Sequence, residues 1–500
     1  MTTNKKLKKI LLIHPPFYRM FKHEYTLERY PLFLGYLAGV ILRDTDWDVM
    51  TYNTDFTPHA EVIRFEYMTN VGFDRYAKML TDPDAALWQE IKATIEEFQP
   101  DVIGINTQAP LFAAAVRIAQ IAKTINPRMM VLAGGPHASV MGKEVLSHPE
   151  IDVVVRGEGE VTIVELLHAI ERGEDLDGIH GIIFRRNDSL VETAPRELIE
   201  DLDSLPFPLE SAAQTLKDYA HYPKKAFKNI FSSRGCPFSC LFCGSRDIWG
   251  KRARLRSPEN VIAEMKALVR LGLRSFRFED DTFGIDRQWT RTLCNMIRRD
   301  FPGIAWECEL HVNLVTDELL TAIKQAGCYR VQIGVESGNN AMLTSIRKES
   351  TVEEALSAAE LIKRKGFELE AFFMIGFPDE TEETLRDTIN VLKRITCDKL
   401  VYSIFTPYPG TEAFTVCKEY GLIGDDYDIT LYNHQSPHNC FCRNIEFERF
   451  RALAKEVEKI VDTKNKKANL KTIFSFNILW RIQELGIRES LLRARQFFRK

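Results

Sequence analysis

The sequence predicts an α/β fold in two successive parts, a doubly wound sheet and then a partial (β/α)6 barrel, with a mainly helical segment at the end. Two observations carry this. Short apolar runs alternate with segments of helical period from residue 8 to about 170, and do so again from residue 229 to 406. Such a βαβ rhythm calls for parallel strands joined by crossover helices. Between the two sets lies a Pro-rich stretch, Asp201–Pro208 (DLDSLPFP), which reads as an extended linker and puts the boundary near residue 200.

In the first part, residues 1–200, Lys9–His14 (KILLIH) is a buried-strand run, followed by a helix over Pro31–Arg43 with Phe33, Leu34, Leu37, Val40 and Ile41 on one face. Trp47–Tyr52, Asp101–Asn106, Met129–Gly134 and Ile151–Arg156 are further strands, with helices such as Pro110–Ile125 between them. Residues 55–100 form an aromatic and acidic insertion without an assignable role, and residues 178–200 read as a hairpin turning at Asn187-Asp188.

An open parallel sheet binds ligands beyond the carboxyl ends of its strands. Those ends here carry His14-Pro15-Pro16, Asn106-Thr107-Gln108, Gly134-Gly135-Pro136-His137-Ala138-Ser139 and Arg156-Gly157-Glu158-Gly159-Glu160. The glycines admit close backbone approach, and the polar groups suit a large amide-bearing ligand. No G-x-G-x-x-G follows the first strand, so a dinucleotide fingerprint is absent.

In the second part, residues 201–425, the strands are Asn229–Ser233, Ser275–Glu279, Ala305–His311, Arg330–Glu336, Leu369–Ile375 and Leu400–Thr406, with helices such as Pro258–Leu271, Asp317–Ala326, Val352–Lys365 and Glu382–Lys393 between them. The active site of such a barrel is the rim formed by the strands' carboxyl ends. Residues 426–500 then lose the barrel rhythm; 447–462 reads as a polar amphipathic helix.

A chain of 500 residues with 45% hydrophobic and 27% charged residues is an ordinary globular composition of about three domains, and a net charge of -4 gives no global pull toward nucleic acid. No apolar run is long enough to span a membrane. The N-terminus, basic and then briefly apolar before a Pro pair, reads as a first strand rather than a signal peptide. None of the ten cysteines precedes Cys236 and the rest show no disulfide framework, so a reducing, cytoplasmic setting is expected.

The loop Phe231–Gly250 (FSSRGCPFSCLFCGSRDIWG) follows the first barrel strand and holds Cys236, Cys240 and Cys243 in a C-x3-C-x2-C spacing. Three thiolates on a short Gly/Pro-containing loop converge on one inorganic centre. Iron-sulfur cubanes usually take four cysteines, so three leave one iron open to an exogenous ligand, whereas a structural zinc site wants four protein ligands. The loop resembles that of the radical S-adenosylmethionine (SAM) superfamily. That resemblance implies a 4Fe-4S cluster whose free iron is chelated by SAM, with reductive cleavage to a 5′-deoxyadenosyl radical. Ahead of it, PLFLGYLA, GGPHAS and VRGEGE resemble the Rossmann-like cobalamin domain of the cobalamin-dependent branch. The implied cofactor-binding residues there are His14, Gly134, Gly135, His137, Gly157, Glu158 and Gly159. The D-x-H-x-x-G signature that supplies a cobalt-ligating histidine is missing, so His14 and His137 are either neighbours of the cofactor or plain loop and cap histidines.

By the same resemblance Phe242 lies near the adenine, and Asp280 and Asp281, in Glu279-Asp280-Asp281, sit where a carboxylate reaches the SAM ammonium. Glu336 and Ser337 form the ribose motif, Gly376 in FFMIGFPDE brackets the adenine, and Tyr408-Pro409-Gly410-Thr411 closes the sixth strand. Arg347 or Lys348 suits the SAM carboxylate, against a plain reading as solvated helix-surface cations. His311 stands where some relatives carry arginine. In the tail, His434, His438, Cys440 and Cys442 are able to bind metal, to touch substrate or simply to support the fold. Thr463–Lys500, with ten Lys/Arg against two Glu and interleaved aromatics, suits an anionic membrane surface or a docked helix. The implied activity is that of a cobalamin-dependent radical SAM methyltransferase acting on an unactivated carbon of a small molecule, lipid-like among other classes, with a flavodoxin or ferredoxin as electron donor. A ring-forming or oxygen-inserting cyclase is the alternative within the class, and a non-catalytic cobalamin-binding sensor the alternative outside it.

Overall fold

Strands buried on both faces read as unbroken apolar runs, and the first sheet is made of such runs. In the computed structural model, which describes residues 8–21, 29–58, 72–187, 189–434 and 436–473, they are β1 (Lys9–His14), β2 (Asp48–Asn53), β3 (Val102–Asn106), β4 (Met130–Gly134) and β5 (Val153–Val155). They pair in parallel in the order β2-β1-β3-β4-β5, and a hairpin of β6 (Ile182–Arg186) and β7 (Ser189–Glu192) extends the far edge antiparallel. The strand order reverses between β1 and β3, so the ligand crevice opens beyond His14 and Asn106. The turn residue expected at position 188 lies outside the described residues.

The pleat divides the core in two. Leu11, Ile13, Ile103, Ile105 and Val131 face one side, and Ile10, Leu12, Val102, Leu132 and Val153 the other. The first side is covered partly by helices Phe73–Thr81 and Ala86–Phe98, through Tyr76, Trp88, Ile91 and Ile95. Part of the insertion without an assignable role is therefore a structural layer. The linker is not simply extended either: a short 3-10 turn, Leu202–Ser204, leads into helix Pro208–Thr215. That helix packs on helix Leu32–Asp44 where Gly35 leaves room, since a Cβ there would lie 2.5 Å from Pro208 Cβ.

The second sheet starts with β8 (Asn229–Ile230). The chain then leaves it for a two-stranded antiparallel pair, β9 (Ser233–Arg234) and β10 (Arg254–Leu255), that clamps the two ends of the cysteine loop. It returns as β11 (Ser275–Phe278), β12 (Ala305–Leu310), β13 (Cys328–Glu336), β14 (Glu368–Ile375) and β15 (Lys399–Ile404), giving an open, all-parallel sheet in the order β8-β11-β12-β13-β14-β15. Along β12 the alternation is plain: Trp306, Cys308 and Leu310 join the apolar layer under the helices, while Glu307 and Glu309 turn to the barrel interior. There Glu307 meets Lys228 at 2.9 Å and Arg330 at 2.8 Å, Arg330 meets Glu368 at 2.9 Å, and Glu370 meets Lys399 at 2.6 Å.

The predicted C-terminal helix runs further than expected, over Phe447–Ile473. Phe450, Leu453, Val457 and Val461 dock it on the barrel, and Asn465 bonds both the N–H (2.8 Å) and the C=O (2.9 Å) of Leu400 in the edge strand. No helix among the described residues is long and apolar enough to cross a membrane. Residues 474–500, most of the basic tail, lie outside the described residues.

Candidate active site

The cysteine loop is built to turn inward. Gly235 has φ +96° and a Cβ there would lie 2.6 Å from Arg252 O, so only glycine lets the loop fold back over β10. Asp281 ties its two ends, accepting from Gly235 N (3.2 Å) and Ser245 Oγ (2.7 Å). In the middle, Leu241 N bonds Ile346 O and Leu241 O accepts from Ala413 N. Burial pushes the Cys236 thiol up to about 12 and the Cys240 thiol to about 11, and raises Cys243 as well; nearby thiols add to the effect on the first two. The three side chains are therefore near enough to repel one another as thiolates. Yet among the described residues no group of three His, Cys, Asp or Glu is arranged to hold a single metal ion. Cys236 and Cys240 are half-buried and Cys243 is exposed, so the loop presents its thiols at the rim, and three soft thiolate donors on one short loop suit a three-cysteine iron-sulfur cluster.

Lys348 and Glu336 lie beside these sulfurs. They pair at 3.0 Å, are 7% and 8% exposed, and both act electrostatically on Cys240 and Cys243. Burial works against the Lys348 ammonium, but Glu336, Cys240 and Glu309 more than offset it and hold its pKa above the ordinary lysine value. Lys348 is thus no solvated surface cation. Arg347 is: it is half-exposed and paired with Glu412. Gly334 makes the buried pair fit, because a Cβ there would lie 2.8 Å from Lys348 Nζ. Glu336 ends β13 with φ +65°, a conformation rare for a non-glycine residue and found where surroundings fix the backbone. Phe238 stacks on His311 at 3.5 Å, and Phe242 packs near Phe377 at 5.9 Å.

Several expected SAM contacts have other work. Asp280 accepts from Ser232 N (2.7 Å), Ser233 N (3.0 Å) and Ser232 Oγ, so it caps the backbone leaving β8, and burial raises its pKa to about 6. Ser337 is fully buried against Thr388. Gly376 donates its N–H to Glu380, and a Cβ there would lie 2.9 Å from the Phe450 ring, so its positive φ serves the docking of the last helix. Asp281, Glu336 and Phe242 remain on the rim near the cysteines.

On the first sheet, His14 sits 3.1 Å from Asn106 Nδ2 at the switch point, buried, with its pKa lowered to about 4 by burial and by Arg29. Gly135, φ +110°, folds the next loop onto Asn106 and Thr107, and Gly157, φ +72°, donates to Ser139 Oγ at 3.0 Å. His14, Gly134, Gly135 and Gly157 thus line one edge. His137 is buried on Phe112, ring centroids 4.5 Å apart, with neither nitrogen hydrogen-bonded among the described residues. Gly159 opens helix Gly159–Arg172 and packs on Leu37.

Glu158 leaves that edge altogether. Its carboxylate takes Arg254 (2.9 and 3.1 Å), Arg234 (2.7 Å) and Ile199 N (2.6 Å), while Glu160 takes the other arm of Arg234 at 2.5 Å. The Arg234 guanidinium lies 5.1 Å from both the Tyr36 and the Trp249 ring centroids. This buried clasp joins the first domain to β9 and β10, at the root of the cysteine loop. It could not be read from VRGEGE alone, because the arginines lie far along the chain.

The tail residues close the other side of the seam. His434 stacks on Phe17 at 5.4 Å and its Nδ1 lies 3.1 Å from Tyr408 Oη; His438 meets the edge of Phe73 at 5.5 Å. Both rings pack on first-domain aromatics, so His434 and His438 help support the fold at this seam.

Comparison with known proteins agrees with this layout. A B12 binding domain model matches residues 31–167, and a Radical SAM superfamily model matches residues 230–392. An uncharacterized methyltransferase of Pyrococcus horikoshii is 33% identical over 408 residues, 81% of this chain and 82% of that protein. An anaerobic magnesium-protoporphyrin IX monomethyl ester cyclase of Rubrivivax gelatinosus is 31% identical over 360 residues, 70% of this chain and 63% of its own. Among solved structures, the radical SAM methyltransferase TsrM of Kitasatospora setae, with cobalamin and a [4Fe-4S] cluster bound, superposes with a TM-score of 0.66 at 16% identity, covering 91% of this chain and 89% of the other. With both domain models in sequence along it and such a relative spanning most of its length, the chain belongs to the cobalamin-dependent radical SAM enzymes.

Proposed function

We propose that the enzyme transfers a methyl group to an unactivated carbon of a small molecule. The observation that carries this is the joining of the two domains at the root of the cysteine loop: the buried Glu158–Arg234–Glu160 clasp ties the loop bearing Cys236, Cys240 and Cys243 to the domain whose switch point lies at His14 and Asn106. When bound, the cluster supplies an electron to SAM and cobalamin a transferable methyl group, a division of labour in which the protein orients and encloses. Cys236, Cys240 and Cys243 would hold the cluster. Asp281, Glu336 and Lys348 offer the charges that suit the ammonium, ribose and carboxylate of SAM. The first-sheet edge at His14, Gly134, Gly135 and Gly157 would take the corrin face. The methyltransferase relative supports the reading.

The experiment is anaerobic reconstitution with reductant and SAM carrying a trideuterated methyl group. Methyl transfer gives 5′-deoxyadenosine and a product heavier by the labelled methyl. A ring-forming reaction, favoured by the 31% identity to a cyclase, gives 5′-deoxyadenosine and no labelled product. If no 5′-deoxyadenosine forms under reducing conditions, both readings fail.

A further inference from the structure

Lys348 is carried by an unusual piece of backbone. Arg347 and Glu349, on either side of it, have φ +54° and +55°, and neither is glycine. Left-handed residues of this kind persist where the surroundings fix them. Here the fixing comes from two directions. The cysteine loop supplies one: Leu241 N donates to Ile346 O at 2.9 Å, and Ser239 Oγ donates to the Glu349 carboxylate at 3.2 Å. The end of β12 supplies the other. His311 Nε2 lies 3.1 Å from Lys348 O, and Asn313 Nδ2 donates to Glu349 O.

The same imidazole also reaches the cysteine loop. Its ring is buried and stacks on Phe238, which stands between Cys236 and Cys240, with centroids 3.5 Å apart and planes 12° apart. The backbone places its proton: Nδ1 accepts from Asn313 N at 3.2 Å, which leaves Nε2 to carry the hydrogen and donate it to Lys348 O. Thr282 Oγ1, accepting from His311 N at 2.8 Å, holds the main chain at that point. Capping alone does not call for this residue. His311 precedes the 3-10 turn Val312–Leu314, a place where Asn, Asp or Ser serves as well, and none of these short side chains can both reach Lys348 O and stack on Phe238.

Resting on the radical SAM reading above, we infer that His311 is a positioning residue for SAM. Its face sets the loop that carries the cluster ligands, and its edge sets the turn that presents the Lys348 ammonium, so the cation offered to the SAM carboxylate is held in register with the three cysteines. The handle is the Lys348 carbonyl, which leaves the ammonium to Glu336 and to the ligand. Side chains behind the direct ligands of a metal site commonly orient those ligands, and their loss costs about ten- to a hundredfold in affinity or activity.

The test uses the full-length enzyme reconstituted with cluster and cobalamin, and reads iron per chain, melting temperature, and the dissociation constant of SAM per loaded cluster by equilibrium dialysis. His311→Phe keeps a ring for Phe238 and removes the donor to Lys348 O. His311→Gln keeps a donor of similar reach and removes the ring. His311→Phe is expected to weaken SAM binding about tenfold or more at the parent's iron content, and His311→Gln to recover most of that affinity. In a Lys348→Met background, His311→Phe should add less than about a twofold loss, because both changes act on one contact. A plain supporting role would instead cost iron and melting temperature in both variants and leave the dissociation constant of the loaded fraction unchanged. That result, or equal SAM affinity in the parent and His311→Phe, or a His311→Gln no better than His311→Phe, or full additivity with Lys348→Met, overturns the inference and leaves the enzyme class standing. If the parent, loaded with its cluster, binds no SAM, the radical SAM reading itself fails and takes the inference with it.

Discussion

Replacing Arg234 with methionine tests whether the clasp, rather than general packing, joins the two domains. The guanidinium is 6% exposed and divided between Glu158 at 2.7 Å and Glu160 at 2.5 Å. Methionine keeps much of the apolar stem between Tyr36 and Trp249 but removes the charge. Glu158 retains Arg254, whereas Glu160, 7% exposed, is left with no cation among the described residues. Removing one partner of a buried pair costs about 3–5 kcal/mol, mostly as the stranded charge. For a domain of this size each kcal/mol moves the melting point by about 2–4 °C, so a fall of roughly 6–20 °C is expected by calorimetry of the reconstituted protein. The decisive measurement is the cycle with Glu160→Leu. If the stranded charge is the cause, the double variant regains at least about half of the loss. Additive losses, or a single-variant shift below about 2 °C, would refute the reasoning.

Other expectations follow from the same geometry. Gly235→Ala, forced to keep φ near +96° with its Cβ against Arg252 O, should cost at least about 1–2 kcal/mol and lower the iron bound per chain; full iron loading would contradict it. Lys348→Met strands Glu336, so it should lower the melting point more than the Lys348→Met/Glu336→Gln pair does, and it should weaken SAM binding. Glu380, fully buried with one oxygen unpartnered among the described residues, has its pKa raised by burial from 4.5 to about 7. The unfolded carboxyl ionises first, so the parent should lose stability as pH rises from about 4.5 to 7, by roughly 3 kcal/mol in all. Glu380→Gln should remove that slope and be the more stable protein at pH 8; identical melting profiles between pH 5 and 8 would count against it.

The first-sheet strands KILLIH and DVIGIN were legible as short, mainly apolar runs, and the fifth barrel strand, expected over Leu369–Ile375, starts one residue earlier at Glu368. The cysteine loop was legible because its spacing is local. What was not legible depends on partners distant in sequence. Glu158 reads as a ligand-facing loop residue until Arg234 and Arg254 are brought to it, and Asp280 until Ser232 and Ser233 point their N–H groups at it. Lys348 looks like a surface cation because nothing in its own segment shows that Gly334 clears a space for it. Two further features follow from sequence periodicity alone. The spacing of Leu87, Trp88, Ile91, Ile95 and Phe98 is an amphipathic helix inside the insertion, and the alternation in AWECEL already sends Glu307 and Glu309 to the face opposite Trp306 and Cys308.

The central claim is that Cys236, Cys240 and Cys243 hold a cubane with one iron left for SAM, and Mössbauer spectroscopy of the iron-57-reconstituted protein tests it most directly. Adding SAM should shift about a quarter of the iron signal while the rest stays in place, and a variant with all three cysteines changed to alanine should bind no cluster. A spectrum indifferent to SAM, or a cluster that survives the triple substitution, would contradict the account.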